Sequence, residues 1–312
     1  MPIELSKISS SQLSRLPRDE TVFFFPVGPI EDHGPHLPMG MDLMEAERLS
    51  WLTAQKLEDE KPGWVGVILP QVPLGIDANT TRITLTVRPY VLRDWLVDSC
   101  RALTRMGFVH FVCFSGHLGP KQLTAIEDAG KLIRRFSILK KLTSKFRSAR
   151  LVPTLISANS GLISAKDVLR SPLWPDPKEH GGKRDTSVAL AIGGDCVVDP
   201  LYKNLINKDL DSSSIKRVWN RVTNQVEGYW GNPQESEPGL GEAVLNEQVK
   251  SIFPKLRVIW EGAPPASLFR SWYSIIPPNK SFYRIWLLLI AILILFSSWV
   301  YLCFMLLPLV EK

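Results

Sequence analysis

Cysteine and histidine are both scarce in this chain of 312 residues, with four of the first and five of the second. Cys100, Cys113, Cys196 and Cys303 lie far apart, so their spacing suggests neither a zinc knuckle nor a disulfide framework. Reduced thiols in a cytosolic domain are the simple expectation. The chain also lacks a glycine-rich phosphate loop, H-E-x-x-H, G-x-S-x-G and C-x-x-C. Those absences leave the usual nucleotide, zincin, serine-hydrolase and thiol-redox chemistries without support. The opening stretch MPIELSKISSSQLSRLPRDE has no apolar run of signal-peptide length.

Charge is absent from residues 285–310, IWLLLIAILILFSSWVYLCFMLLPLV, a run of 26 residues. As a helix it would be about 39 Å long, enough to cross the ~30 Å hydrocarbon layer with some tilt. A buried helix of this length would need some polar face, and none is present. The sequence therefore predicts one C-terminal transmembrane helix. Lys280 and Arg284 precede it, and only Glu311 and Lys312 follow. That bias places the soluble part on the cytoplasmic side, a tail-anchored layout. Trp286 and Trp299 suit an interfacial belt or lipid contact.

The net charge of +6 is unevenly spread. Lys131, Arg134, Arg135, Lys140, Lys141, Lys145, Arg147 and Arg150 fall in one segment without an acid, with Ile138, Leu142 and Phe146 at helical spacing. Such a segment fits either anionic headgroups or a solvated basic helix end. No nucleic-acid motif accompanies the charge, so nucleic acid is not an expected partner.

Strand and helix patterns alternate. Thr21–Val27 reads as a buried strand, followed by a helix near 42–57 and strands near 64–70 and Ile83–Val87. A helix near 90–106 precedes the apolar strand Phe108–Phe114; a helix near 120–136, a strand over Arg150–Ser157 and a helix beginning near Thr186 complete the series. The alternation predicts an α/β domain with a mostly parallel sheet. Pro264-Pro265 and Pro277-Pro278 mark 264–284 as a linker, giving a domain over 1–263, the linker, and the span over 285–310.

Chemistry concentrates where these strands end. Glu31-Asp32-His33-Gly34-Pro35-His36-Leu37-Pro38-Met39-Gly40-Met41-Asp42 follows the first long strand. Ser115-Gly116-His117 follows the Phe108–Phe114 strand, and Glu179-His180-Gly181-Gly182-Lys183-Arg184-Asp185-Thr186-Ser187 precedes a helix. Four of the five histidines lie in these segments. Open α/β sheets build their sites just past strand carboxyl ends. Mixed His, Asp and Glu donors suit Zn²⁺, Mn²⁺ or Fe²⁺ better than Mg²⁺ or Ca²⁺. On a blander reading, Glu31, His33 and Asp42 are polar loop residues and Asp185 caps the following helix. His110, inside the apolar strand, reads as a packed histidine.

These runs resemble the creatininase (creatinine amidohydrolase) family. E-D-H-G-P-H-L-P-M-G-M-D carries the resemblance most specifically. It is supported by the G-H after a strand, by H-G-G-K-R-D-T-S, and by Gly228-Tyr229-Trp230-Gly231-Asn232-Pro233 followed by Gly239 and Gly241. It spans roughly residues 15–262. The resemblance implies a three-layer α/β fold, a dinuclear metal centre and hydrolysis of a non-peptide C–N bond, such as a cyclic amide or amidine, by metal-activated water. By position, Glu31, Asp42 and His117 would hold one metal. His33 and Asp42 would hold the second, with Asp42 bridging, and Asp185 stands where the family usually has Glu. His180 would move the proton, and His36 would shape the site. A small-molecule amide substrate and a homo-oligomer are also implied. Ser115 replaces the usual Asn. Gly119-Pro120 stands where a carboxylate ligand would be, and Lys183 puts a cation near the centre. These departures leave open a second expectation, a membrane scaffold or assembly factor with weak or no catalysis.

Overall fold

The computed structural model describes residues 1–76, 78, 83–143, 154–159, 179–193, 198–207, 228–263 and 280–310. Side chains at 135–143, 280–286 and 303–310 are excepted. The chain divides into two compact units, Met1–Ile276 and Pro277–Lys312. The end of the basic segment (144–150), the start of the Arg150–Ser157 strand and most of the expected linker lie outside the described residues.

In the first unit the strands are β1 (Ile3–Glu4), β2 (Thr21–Val27), β3 (Val65–Ile68), β4 (His110–Ser115) and β5 (Thr154–Ser157). They form one sheet in the order β1-β3-β2-β4-β5, with every pairing parallel. The helices are α1 (Ser10–Arg15), α2 (Met41–Glu60), α3 (Pro89–Arg105), α4 (Pro120–Thr143), α5 (Lys183–Ile192) and α6 (Pro238–Trp260). A capping box between Ser9 and Gln12 starts α1. Proline opens α3, α4 and α6, where its missing N–H costs no helical hydrogen bond.

β2 shows why the domain has three layers. Its side chains alternate between faces. Val22 and Phe24 join a core with Leu49 and Leu57 of α2 and Phe253 and Trp260 of α6. Phe23, Phe25 and Val27 join a second core with Leu92 and Leu96 of α3 and Ile126 and Ala129 of α4. Each such apolar side chain contributes on the order of 2 kcal/mol by its burial. Pro26 is tolerated in this central strand because its ring faces the side where β3 has ended. The register with β3 stops at Phe24 and Ile68, and the Pro26 carbonyl accepts from Val72 N–H at 3.0 Å.

One expected strand is absent. Ile83–Val87 makes a single antiparallel bridge, Ile30 with Leu85. Ile83 and Leu85 are 56% and 63% exposed. Their alternation therefore faces solvent instead of a second layer, and no ladder forms. Gly239 and Gly241 lie inside the first turn of α6. A Cβ on Gly241 would overlap the Ser187 carbonyl, so this glycine lets α5 and α6 pack closely.

The second unit contains α7 (Lys280–Val310). It begins five residues before the uncharged run. From Leu287 to Leu302, where its side chains are described, it exposes large apolar groups on all sides, including Leu287, Ile292, Phe296 and Trp299. Among the described residues no helix is long and apolar enough to cross a membrane. The stretch 287–302 is itself shorter than the ~20 residues a span needs.

Candidate metal centre

The site forms where β2 and β4 end side by side, Val27 opposite Ser115. After β2 the chain makes a loop closed by Glu31 N–H donating to the Met39 carbonyl at 2.9 Å. That closure brings Glu31 back beside the first turn of α2, where Asp42 sits. A carboxylate there is favoured by the helix dipole. Gly116 explains the Gly-His pair after β4: a Cβ at this position would overlap the Asp42 backbone. Gly34 has φ +92° and donates its N–H to Asp32 Oδ1 at 2.9 Å, which turns the loop between His33 and His36.

Two groups of donors result. Glu31, Asp42 and His117 form one, and His33, His180 and Asp185 the other; in each, one donor atom per residue lies within 4.8 Å of the others. In the first, His117 Nδ1 is 3.1 Å from Glu31 Oε2 and 3.9 Å from Asp42 Oδ2. The groups adjoin through His33 Nε2 and Asp42 Oδ1 at 3.6 Å and through His180 Nε2 and Glu31 Oε1 at 3.7 Å. The His33 and His180 rings stack at 4.2 Å, and Trp230 stacks on the far side of His180 at 4.8 Å.

The hydrogen bonds select the ring atoms. His33 Nδ1–H donates to the Glu31 carbonyl at 3.1 Å, which aims Nε2 at Asp42. His180 Nε2–H donates to the Asp32 carbonyl at 2.9 Å, which leaves Nδ1 as its lone-pair atom.

Protons occupy the places where a cation would be stabilised. Burial lowers the affinity of His33 for a proton, but the Asp42 charge and hydrogen bond, with Asp185 and Glu31, raise its pKa to about 10. His117 is likewise raised by its Glu31 hydrogen bond against the effect of burial. Burial pushes Asp42 up to about 6, opposed by His33. Burial would also raise Glu31, yet the His117 hydrogen bond and the surrounding imidazoles hold it well below the carboxylate range. His180 falls to about 4 through burial and the nearby His33 charge, so it is neutral near pH 7.

The donor set fits a transition metal. Among the described residues, the buried Asp42 Oδ2 and His117 Nε2 have no hydrogen-bond partner. An orphaned carboxylate oxygen of this kind is costly unless something cationic meets it.

The remaining sequence-picked residues fall as follows. His36 is not a donor in either group; its Nε2 shares a 2.8 Å hydrogen bond with Thr186 Oγ1, and its ring packs edge-on to Tyr229, so it buttresses the loop. Ser115 is held within the protein: its N–H donates to Asn159 Oδ1 at 2.7 Å and its Oγ–H to the His117 carbonyl at 2.7 Å. Lys183 does not bring its charge to the centre. It extends outward to Glu235, 3.2 Å away.

Arg184 is the cation at the centre, and the sequence reading missed it. Its guanidinium is buried, forks onto Glu45 of α2, and donates to Asp185 Oδ1 at 2.8 Å. Gln248 of α6 donates to the same Glu45 at 3.1 Å. Asp185 Oδ2 accepts from Gly181 N–H at 2.8 Å. Gly181 has φ +58°, and a Cβ there would overlap the His33 carbonyl. Glu179 was also missed. It accepts the Lys183 N–H at 3.1 Å and the Arg184 N–H, capping α5 where Gly182 has no side chain to do so.

The family model described as Creatininase: Creatinine amidohydrolase matches residues 6–256. Among solved structures, a creatinine amidohydrolase (creatininase) is 19% identical, covers 84% of this chain and 99% of its own, and has a TM-score of 0.59. A tryptophan-to-alanine mutant creatininase gives 18%, 83%, 99% and 0.62, and a Mn creatininase 18%, 83%, 99% and 0.59. No curated protein sequence matches the chain.

Proposed function

This chain belongs to the creatininase family, and we propose on that premise that it is a metal-dependent amidohydrolase acting on a non-peptide C–N bond of a small molecule. The observation that carries the reading is the pair of donor groups meeting across Asp42 and His33 at the carboxyl ends of β2 and β4. Glu31, Asp42 and His117 would hold one ion; His33, with Asp42 as the bridging carboxylate, would contribute to a second. Creatininase structures of Mn and Zn-Zn type are among those similar to this chain, and the donors suit those metals. A divalent ion there supplies Lewis acidity and lowers the pKa of water.

The protein's own groups serve the rest of the reaction. His180 is neutral, is oriented by the Asp32 carbonyl, and has Nδ1 available to take a proton and return it to a leaving nitrogen. Trp230 and His33 both stack on its ring, tilted by 28° and 27°. Purified protein should contain stoichiometric transition metal by mass spectrometry and hydrolyse small cyclic amides or amidines. Protein without bound metal, and with no gain on adding Zn²⁺ or Mn²⁺, would sink the reading.

The same proposal includes a membrane anchor over 285–310, with the hydrolase domain on the cytoplasmic face. The uncharged run, the flanking Lys280 and Arg284, and the apolar side chains that α7 exposes on every side support it. Full-length protein should fractionate with membranes and a chain ending at residue 276 should not. A homo-oligomer remains part of the reading, to be checked by light scattering on that shorter form.

A catalytically weak scaffold is the second reading. It is favoured by Gly119, which offers no ligand, and by the engagement of both Asp185 oxygens. Retention of a stable complex by Asp42→Ala protein, with no measurable hydrolysis by the wild type, would decide for it.

A further inference from the structure

We propose that Gln122 and Asn159 are positioning residues for His117: acting through Ser115, they set the loop after β4 against Glu31 and Asp42. The inference takes its bearing on the reaction from the metal reading above, and none of the three residues is itself a donor in either group.

The observation is a run of buried polar side chains behind the donors. Ser115, Gln122 and Asn159 are 0%, 0% and 1% exposed. Amide and hydroxyl groups this far from water must be hydrogen-bonded within the protein. Asn159, two residues past β5, accepts the Ser115 N–H on Oδ1 at 2.7 Å. Gln122, in the first turn of α4, donates from Nε2 to Ser115 Oγ at 3.4 Å. Ser115 Oγ–H in turn donates to the His117 carbonyl at 2.7 Å. Ser115 is thus gripped from two elements at once, and its hydroxyl passes that grip to the backbone of His117.

The same glutamine reaches the other donor-bearing loop. Its Oε1 accepts the Ile76 N–H at 2.9 Å, and its Nε2 also donates to the Leu74 carbonyl at 3.2 Å. Between those two residues, Gly75 lies so close to Pro29 that a Cβ would overlap the ring. Pro29 is two residues before Glu31. Gln122 therefore fixes the backing of the loop that carries Glu31 as well as the loop that carries His117. The two loops meet where His117 Nδ1 lies 3.1 Å from Glu31 Oε2. Gly116 supplies a third fixed side, because its backbone rests on that of Asp42. The family resemblance leads to asparagine at 115, and this chain has serine there; Asn159 brings a side-chain amide to that position from the next strand.

Binding constellations need their side chains held within about 0.5 Å of the working geometry. Without Asn159 Oδ1 the Ser115 N–H would be left buried without its partner. The 115–117 segment would turn to find another, and the imidazole would move with it.

The test uses the metal-free full chain labelled with ¹⁵N-histidine. Its five histidines are few enough to assign by single replacement. The His117 ring nitrogens then report its contact with Glu31 whether or not an ion is bound. Asn159→Leu and Gln122→Met should each shift the His117 signals and leave those of His110, at the other end of β4, in place. Mn²⁺ affinity, read by the electron-resonance signal of free Mn²⁺, should fall about tenfold in both. Asn159→Asp keeps an oxygen acceptor for the Ser115 N–H and should restore both readouts. Ser115→Ala removes a single hydroxyl, should move the His117 signals in its own right, and carries the test should the larger changes prevent folding. Thermal melts accompany every variant. Lower melting temperatures with His117 signals and Mn²⁺ affinity unchanged would make these residues a support for the sheet only and overturn the proposal. Shifted His117 signals in variants of a chain that binds no Mn²⁺ even as wild type would uphold the positioning role and overturn the metal reading instead.

Discussion

His110 and His117 bracket a single strand and have opposite surroundings. His110 opens β4, packs against Trp64 at 5.4 Å and donates Nε2–H to the Asp19 carbonyl at 3.1 Å; burial drops its pKa to about 4. His117 lies just past the other end. Its Nδ1 meets Glu31 at 3.1 Å and Asp42 at 3.9 Å, and its pKa is raised against the pull of burial. One end of the strand is closed by aromatic packing and a backbone carbonyl. The other receives loops from β2, from β4 and from the start of α5. In a parallel sheet the carboxyl edge is where such loops converge, so place along the strand, more than residue type, decides whether a histidine packs or binds.

Four measurements break or sharpen that contrast. The largest effect is expected at the carboxyl edge. Asp42→Asn should remove metal and lower hydrolysis on the order of 10⁴-fold, about 5.5 kcal/mol of barrier; metal content and rates measured together would show a mild phenotype if the edge is not the site. His180→Ala should retain metal at the Glu31–Asp42–His117 group and lower kcat roughly a hundredfold or more. An unchanged kcat would remove His180 from proton transfer. Acidity comes next. Metal-free His33 holds its proton up to about pH 10 and His117 is raised in the same direction. Binding must displace such protons, so affinity should rise as pH rises and fall about tenfold per pH unit for each proton displaced below that range. Calorimetry in buffers of different ionisation enthalpy reads the release directly, and an affinity flat from pH 6 to 9 would contradict it. The smallest effect is expected at the amino edge. His110→Phe should leave hydrolysis within about twofold and cost roughly 1–2 kcal/mol of stability for the Asp19 carbonyl left unpaired. Thermal melts and rates on one sample decide that point.

Much of the scaffold was legible because its signals are local. Thr21–Val27 is apolar on both faces, as a central parallel strand must be, and the helix after it starts within a residue of the expected place. The gathering of candidate donors was partly legible as well: Glu31, His33 and Asp42 lie in one run, His117 follows a strand and His180 precedes a helix, whereas Asp185 lies inside the first turn of α5, which starts at Lys183 and not near Thr186. Ile83–Val87 misled because alternation says which residues share a face, not whether anything covers that face. Lys183 and Arg184 were exchanged in role because neighbouring helical positions point about 100° apart; only the fold shows that the second turns inward. The Arg184 network was out of reach of any local pattern. Its partners lie 139 residues away, in Glu45, and 203 residues from Glu45, in Gln248.

Gly119 carries a consequence for anyone redesigning this molecule. Its bare backbone lies against Nε2 of His117, and any side chain there would drive that imidazole out of its present place. Installing an acidic residue at 119 is therefore not a one-step repair. The ring would first need somewhere else to go, and the route back to a carboxylate there passes through a molecule that has lost its grip on Glu31.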